Sequence, residues 1–374
     1  MSQPVVRTAV SRDGRFDYYE GDDTIGMSLG LFGEWAQAEL ELLLKFVRRG
    51  DTVVDVGANI GTHAIVFARA VGEAGAVLAF EPQPAIYALL EANIRQNGVG
   101  NIVAHRLGVG SEPGRLVIPP IDYGSAVNSG SVALVDPNST NVVGTWVDVV
   151  TIDGLDLDRC ELVKIDVEGM ESSVLKGMGN TISRLRPVVA VECSSVESGV
   201  NSMRAHDWAD YETFLARTSA FNPGNFNGAT ENPFGAGQES HLLFVPSDRT
   251  GQLPPPSAST AILPIPNLDA LARAVIETPR GGDRTPFDRL SPRTLVLTAA
   301  EVIDAPYLSD ESRDIRIRMA ALEGALDTAR AQRDLGATEL AAARSQLDDV
   351  FASTSWRITA PVRWLSQRLR RFRS

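Results

Sequence analysis

The sequence predicts an α/β protein, a mostly parallel sheet with helices on both faces, and three observations carry that prediction. Short apolar runs alternate with helical patterns from residue 51 to about 246. The first run ends in a glycine turn that opens a helix, and the second ends in an acid. The composition, 44% apolar and 22% charged over 374 residues, is that of an ordinary globular protein with ample core.

The elements follow in order. Trp35, Ala38, Leu42, Leu43 and Phe46 recur at helical spacing and predict an amphipathic helix over 34–47. Residues 52–56 form a β-branched strand, followed by Gly57-Ala58-Asn59-Ile60-Gly61 and a helix over 62–71. Residues 77–80 form a second strand that closes at Glu81-Pro82. Ile86, Leu89, Leu90 and Ile94 then mark one face of a helix that stops at Asn97-Gly98. Residues 102–104, 162–165 and 188–191 supply three further strands. Nine of the 21 prolines fall between Pro246 and Pro292, so 247–310 reads as a proline-rich linker, with one short helix near 268–275.

From 311 to 350 apolar residues step by four and three, from Ile315 and Met319 to Leu347 and Val350, interrupted at Arg333 and Gly336. That heptad seam predicts a coiled-coil segment for a second copy or a partner, or else a single helix packed on the domain. The net charge is −12, and the tail from 351 to 374 holds six arginines and no acid, which leaves −18 for residues 1–350. Such an acidic body excludes a protein devoted to gripping nucleic acid. Met1 is followed by no apolar h-region and no stretch approaches a membrane span, so the expectation is a cytoplasmic protein without signal peptide or anchor. Cys160 and Cys193 make neither a disulfide framework nor a zinc site.

A strand, a glycine turn and a helix let a charged cofactor meet bare backbone, and Gly57 and Gly61 keep that approach clear. A dinucleotide site would want G-x-G-x-x-G against a pyrophosphate. Here Asp55 precedes Gly57 by two residues, an acid that repels pyrophosphate but attracts an ammonium group. Glu81, at the end of the second strand, suits ribose hydroxyls. S-adenosyl-L-methionine offers both groups and no phosphate. The candidate cofactor residues are therefore Asp55, Gly57, Asn59, Gly61, Glu81 and Pro82.

Asp55-Val-Gly-Ala-Asn-Ile-Gly61, Phe80-Glu81-Pro82 and Val163-Lys-Ile-Asp166-Val-Glu168-Gly169-Met-Glu171 resemble the FkbM-type methyltransferases. So do Tyr18, Asp22-Asp23 and Phe32-Gly33-Glu34-Trp35 before them and His241-Leu-Leu-Phe244 after them. The resemblance spans about 15 to 246. It implies the class I, Rossmann-like methyltransferase fold with a seven-stranded sheet, and O-methylation of a hydroxyl, typically on a sugar or polyketide. Residues 119–146 match no motif of the family, so the acceptor is left open between a glycan and a small-molecule natural product.

An alcohol attacks a methyl group poorly while it keeps its proton, so a base or a metal should assist. Asp166 and Glu168, at the ligand end of the fourth strand, and His63, in the first turn after the glycines, are the catalytic candidates. Glu171 is a substrate-side candidate whose alternative is to cap the following helix. Glu34 and Trp35 are expected to fold over the cofactor as a lid, within an N-terminal segment 1–50. A carboxylate pair with one histidine also leaves a divalent metal open. Two other readings remain, a dinucleotide oxidoreductase and a non-catalytic scaffold.

The tail is the last feature. After Pro361, Val362, Leu365, Leu369 and Phe372 recur at helical steps with arginines between them and Trp356 and Trp364 alongside. Ser355-Trp356-Arg357, Pro361 and Arg363 resemble endings of bacterial surface-polysaccharide enzymes. The pattern suits a helix lying on an anionic membrane surface, or one docked on an acidic protein face such as a glycosyltransferase.

Overall fold

The computed structural model describes residues 4–124 and 143–279. The chain opens with a hairpin, β1 (Val6–Ser11) antiparallel to β2 (Gly14–Tyr19), whose turn uses Gly14 at φ +132. Two helices follow, α1 (Ile25–Phe32) and α2 (Gln37–Leu43), the second continuing as a 3₁₀ turn over Leu44–Phe46. The helix expected over 34–47 is thus shorter. Its start is set by Ala36, which takes a left-handed φ of +46.

The parallel unit comes next. Its elements are β3 (Thr52–Val56), α3 (Thr62–Val71), β4 (Ala76–Phe80), α4 (Pro84–Gln96) and β5 (Ile102–His105). Proline at the first position of α4 supplies the fixed φ a helix start favours. A three-stranded sheet of β6 (Gly108–Val109), β7 (Gly114–Ile118) and β8 (Thr145–Val150) is interposed, in the order β6-β8-β7. The chain returns through β9 (Leu162–Ile165), α5 (Glu171–Lys176), α6 (Gly179–Leu185), β10 (Val188–Glu192) and α7 (Val196–Arg204). Three antiparallel strands finish the sheet: β11 (Tyr211–Ser219), β12 (Gln238–Pro246) and β13 (Thr260–Pro264).

The main sheet runs β13-β11-β12-β10-β9-β3-β4-β5. Seven of these strands take the positions expected of the class I methyltransferase fold, and β13 is an eighth. It lies inside the segment expected to be linker, where Thr260, Ala261, Ile262 and Leu263 pair with β11 and so cover an edge that would otherwise stand open. The short helix expected near 268–275 is α8 (Leu268–Ile276), begun by the Asn267 side chain accepting from the Ala270 N–H at 2.9 Å. Residues 267–279 fall in a second unit. The coiled-coil segment 311–350 and the tail 351–374 lie outside the described residues.

Parallel strands covered on both faces read as continuous apolar runs; β10 does so over residues 188–191, and β3 and β9 do so apart from Asp55 and Lys164. Val53, Val54, Leu162, Val163, Ile165, Val188, Val189 and Val191 are all fully buried, each contributing about 1.5–3 kcal/mol over exposure. Leu40, Leu42, Leu43 and Phe46 share one core cluster with Val53, Leu162 and Val188, so this part of the N-terminal segment is integral to the domain rather than a cover over it. The chain leaves β3 toward β4 on one side and reaches β9 on the other. This reversal of strand order opens a crevice at the carboxyl ends of β3 and β9, the place where open α/β sheets bind ligands.

Candidate active site

The crevice holds a cleft of about 800 Å³, lined by residues from the loops after β3, β4, β9 and β10 together with Thr24, Ile25 and Trp35. Its narrowest constraint is at Gly57. The residue has φ +82, and a Cβ there would lie 1.8 Å from the Asp166 carbonyl oxygen. Only glycine lets the β3 and β9 loops approach this closely. Gly61, at φ +93, begins α3, where a Cβ would press on Leu90. Asn59 at φ +50 completes the turn, and its side chain accepts from the Ile60 N–H at 2.8 Å.

Asp55 is the deepest acid. It is fully buried, and neither carboxylate oxygen has a hydrogen-bond partner among the described residues. Burial raises its affinity for a proton, while Lys164 and His63 favour the charge. A buried unpaired carboxylate is costly, so its two oxygens call for a cationic or hydrogen-donating ligand.

Glu81 stands at the end of β4, 3% exposed, held by the Gln83 N–H at 2.9 Å and the Asn59 N–H at 3.1 Å. Those two bonds orient the carboxyl and leave each oxygen a second lone pair. Burial nonetheless pushes it up to about 7. Beside it a second cavity of about 450 Å³ is walled by Phe80, Pro82, Leu107 and Val109, an apolar slot contiguous with the first through Gly57, Glu81, Asp166 and Glu168. Tyr123 borders the region by donating to the Gln83 side chain at 2.9 Å.

The opposite wall is acidic. Asp166 Oδ2 is engaged at 3.0 Å by Lys164 Nζ, whose side chain is 3% exposed. Burial opposes the lysine charge, but Asp166, Glu39 and Asp55 outweigh it and hold the ammonium above its ordinary range. Glu168 does not continue the strand: it turns out of β9 at φ +52. That turn, with β10 alongside, brings carboxylate oxygens of Asp166, Glu168 and Glu192 within 4.8 Å of one another. Glu168 is pushed up to about 7 and Glu192 to about 9, by burial first and then by their acidic neighbours, Glu239 among them. The oxygen donors suit a hard divalent cation, and these three residues are the ones that could hold it.

Several expected site residues lie elsewhere or do other work. Glu171, in the first turn of α5, folds back to accept the N–H of Gly169 ahead of the helix at 2.8 Å, makes no capping bond to the helix itself, and does not line the cleft. Glu34 is a buried strut, bonded to Arg12 at 2.8 Å, to the Asn222 side chain at 2.7 Å and to the Phe226 N–H at 3.0 Å. Three donors hold it in place, so it cannot swing as a lid. Trp35 does line the cleft, half-buried against the cluster of Ile60, Ile65 and Ile86. His63 also lines it, but its Nε2 is turned inward, 3.5 Å from Glu39 Oε2.

Lys164, Glu192, Glu239, Glu39 and His241 were not read as site residues from the sequence. Two carried a signal. Lys164 is a charge inside the apolar run Leu-Val-Lys-Ile, and Glu39 falls on the apolar stripe of its helix, between Ala38 and Leu42.

Residues 55–218 match the model of the methyltransferase FkbM domain. The hexuronic acid methyltransferase AglP of Haloferax volcanii is 29% identical over 153 residues, covering 41% of this chain and 60% of that protein. Methyltransferase 1 of Beauveria bassiana is 30% identical over 164 residues, covering 38% and 65%. The chain thus spans less than two thirds of the length of these curated relatives. Among solved structures, methyltransferase FkbM from Methylobacillus flagellatus is 20% identical with a TM-score of 0.34, covering 53% of this chain and 44% of that one.

Proposed function

We propose that this chain, whose residues 55–218 match the FkbM methyltransferase domain, transfers a methyl group from S-adenosyl-L-methionine to a hydroxyl of a sugar in a glycan. The observation that carries the reading is Asp55, a buried carboxylate with two unpartnered oxygens on the floor of a cleft that also presents Glu81 and an apolar slot. An ammonium would satisfy Asp55, ribose hydroxyls the remaining lone pairs of Glu81, and a flat ring the slot beside Phe80 and Pro82. When bound, the cofactor supplies an electrophilic methyl on a sulfonium. The chain must then hold the acceptor oxygen in line and remove its proton.

Glu168 fits the second task. It lines the cleft, no lysine or arginine among the described residues engages it, and its affinity near neutrality lets it take the hydroxyl proton as the new O–C bond forms. Asp166 is bound by Lys164 and therefore orients rather than accepts. The carboxylates of Asp166 and Glu239, joined by Glu168 when it is ionised, would repel an acceptor carrying its own carboxylate, which favours a neutral or cationic sugar. A small-molecule natural product with a hydroxyl is the second reading, which the same lining would admit. The segment 311–350 is proposed to assemble copies or dock a glycosyltransferase, and the tail 351–374 to meet an anionic membrane from the cytoplasmic side. No helix among the described residues is long and apolar enough to cross a membrane.

The test is incubation with methyl-labelled S-adenosyl-L-methionine and a panel of neutral, amino and uronic sugars, free and in glycans, with the methyl located by mass spectrometry. Label on a hydroxyl of a neutral or amino sugar supports the reading. Label on nitrogen, on carbon or only on non-sugar acceptors overturns it.

A further inference from the structure

Beneath the cleft lies a buried triad that the proposed reaction does not use. Glu39 of α2 sits between two histidines, its Oε1 3.2 Å from His241 Nε2 of β12 and its Oε2 3.5 Å from His63 Nε2 of α3. All three are at least nine-tenths buried. Glu39 and His241 both lie outside the stretch 55–218 that matches the FkbM domain, and His63 inside it. The triad therefore joins segments from both ends of the domain to one side chain on the cleft wall.

The hydrogen-bond inventory fixes what such a group does. A carboxylate only accepts, so it can satisfy a ring N–H on each side. His241 Nδ1 is buried with no partner among the described residues, so a proton there would be an orphaned donor; the proton belongs on Nε2, facing Glu39. His63 Nε2 and Glu39 Oε1 are likewise buried without an aligned hydrogen bond among the described residues, so the contacts at 3.5 Å to Glu39 Oε2 and at 3.2 Å to His241 Nε2 are the ones a ring proton on each Nε2 would complete. Burial opposes the charge on Glu39, but the ring N–H groups that face it and the Lys164 ammonium favour it and hold the carboxyl below its usual range, so it remains an acceptor.

We propose that Glu39 is a positioning residue: braced by His241, it holds the His63 proton on Nε2, so that Nδ1 presents its lone pair to a hydrogen-bond donor in the cleft. The donor is a hydroxyl or an ammonium, both of which the methyl-transfer reading places there. The kinetic consequence rests on that reading, whereas the tautomer does not. A carboxamide in place of Glu39 has one acceptor and one donor, so it can accept from one imidazole only. The other must move its proton or lose its partner.

The experiment is long-range ¹H–¹⁵N NMR of the full chain labelled at histidine, where four histidines in all make assignment by single His→Gln changes practical. In the unaltered protein His63 and His241 are both expected as the Nε2–H tautomer. Glu39→Gln should convert one of them or leave it exchanging between forms, and Glu39→Asp should return the original pattern. An Nδ1–H tautomer of His63 in the unaltered protein overturns the proposal, as do identical tautomers in a folded Glu39→Gln. Calorimetry with S-adenosyl-L-homocysteine and turnover then identify the donor. Weaker binding marks the ammonium, whereas unchanged binding with kcat lowered at least about tenfold, toward the roughly 10⁴-fold loss a wrong tautomer can cause, marks the acceptor hydroxyl. Unchanged binding and unchanged turnover, with the tautomer altered, overturn the functional role alone. A chain that methylates no acceptor leaves the tautomer result standing and counts against the proposed function instead.

Discussion

Replacing Lys164 by methionine tests how the acidic cleft is kept folded. The ammonium lies 3.0 Å from Asp166 and is flanked by Glu39 and Asp55, and its removal leaves three carboxylates facing one another with no lysine between them. Breaking one partner out of a buried pair typically costs about 3–5 kcal/mol. The side chain of Asp166 is 37% exposed and can be hydrated, which discounts its share, while Glu39 and Asp55 are buried and cannot. The lower end, about 3 kcal/mol, is therefore expected. At roughly 2–4 °C per kcal/mol for a domain of this size, the melting temperature should fall by about 6–12 °C.

The pH dependence gives the experiment its sign. The lysine pKa is raised in the folded state, so its contribution is fully present below its unfolded value and is lost only as pH rises through the folded one. Across pH 5–8 it is constant in the unaltered protein. In the variant, Asp55, which burial already shifts upward, has lost its main counter-charge and takes a proton more readily folded than unfolded. The folded state then binds the extra proton, so acidification stabilises the variant. Denaturant unfolding at pH 8 and pH 5 should show a larger deficit at pH 8. A deficit below about 1 kcal/mol, or one equal at both values, would refute the assignment of Lys164 as counter-charge for the cleft.

Glu81→Ala should weaken S-adenosyl-L-methionine binding by about 1.5–3 kcal/mol for each charge-assisted bond lost, read by calorimetry; unchanged affinity would remove Glu81 from the site. Glu168 must be ionised to accept a proton, so turnover should rise with pH through about 7. Glu168→Gln should erase that limb and lower turnover by about 10²–10⁴-fold. If a chelator abolishes turnover and a divalent ion restores it, Asp166, Glu168 and Glu192 are metal ligands instead. Changing Arg368, Arg370, Arg371 and Arg373 to serine should stop the chain floating with anionic vesicles at low salt, where each arginine adds about 1 kcal/mol. Equal behaviour of the two chains would assign the tail to protein docking.

The central strands were legible because each is a short β-branched run buried on both faces, a local property. The structure places β3 at Thr52–Val56 and β9 at Leu162–Ile165, on the expected bounds. The glycine turn and the acid ending β4 were legible for the same reason, since a positive φ at Gly57 and a strand-end carboxylate each occupy one position. The β1–β2 hairpin and β13 were not foreseen. The former carries exposed valines that blur its alternation, with Val6 and Val10 about half exposed, and the latter sits among prolines that read as linker.

By itself the sequence determined the α/β class, the succession of the parallel strands along the chain and the strand ends that bind ligands, since apolar periodicity and turn chemistry act over a few residues. Only the tertiary structure decided which polar groups meet. Glu39 finds His241 across some 200 residues of chain, Glu192 joins Asp166 and Glu168 by lying on the neighbouring strand, and Glu34 is fixed in place by Arg12 and Asn222 rather than left to move. The physical reason is that a charge buried in a core is defined by its partners. Those partners are chosen by strand order and helix packing, which no local spacing encodes.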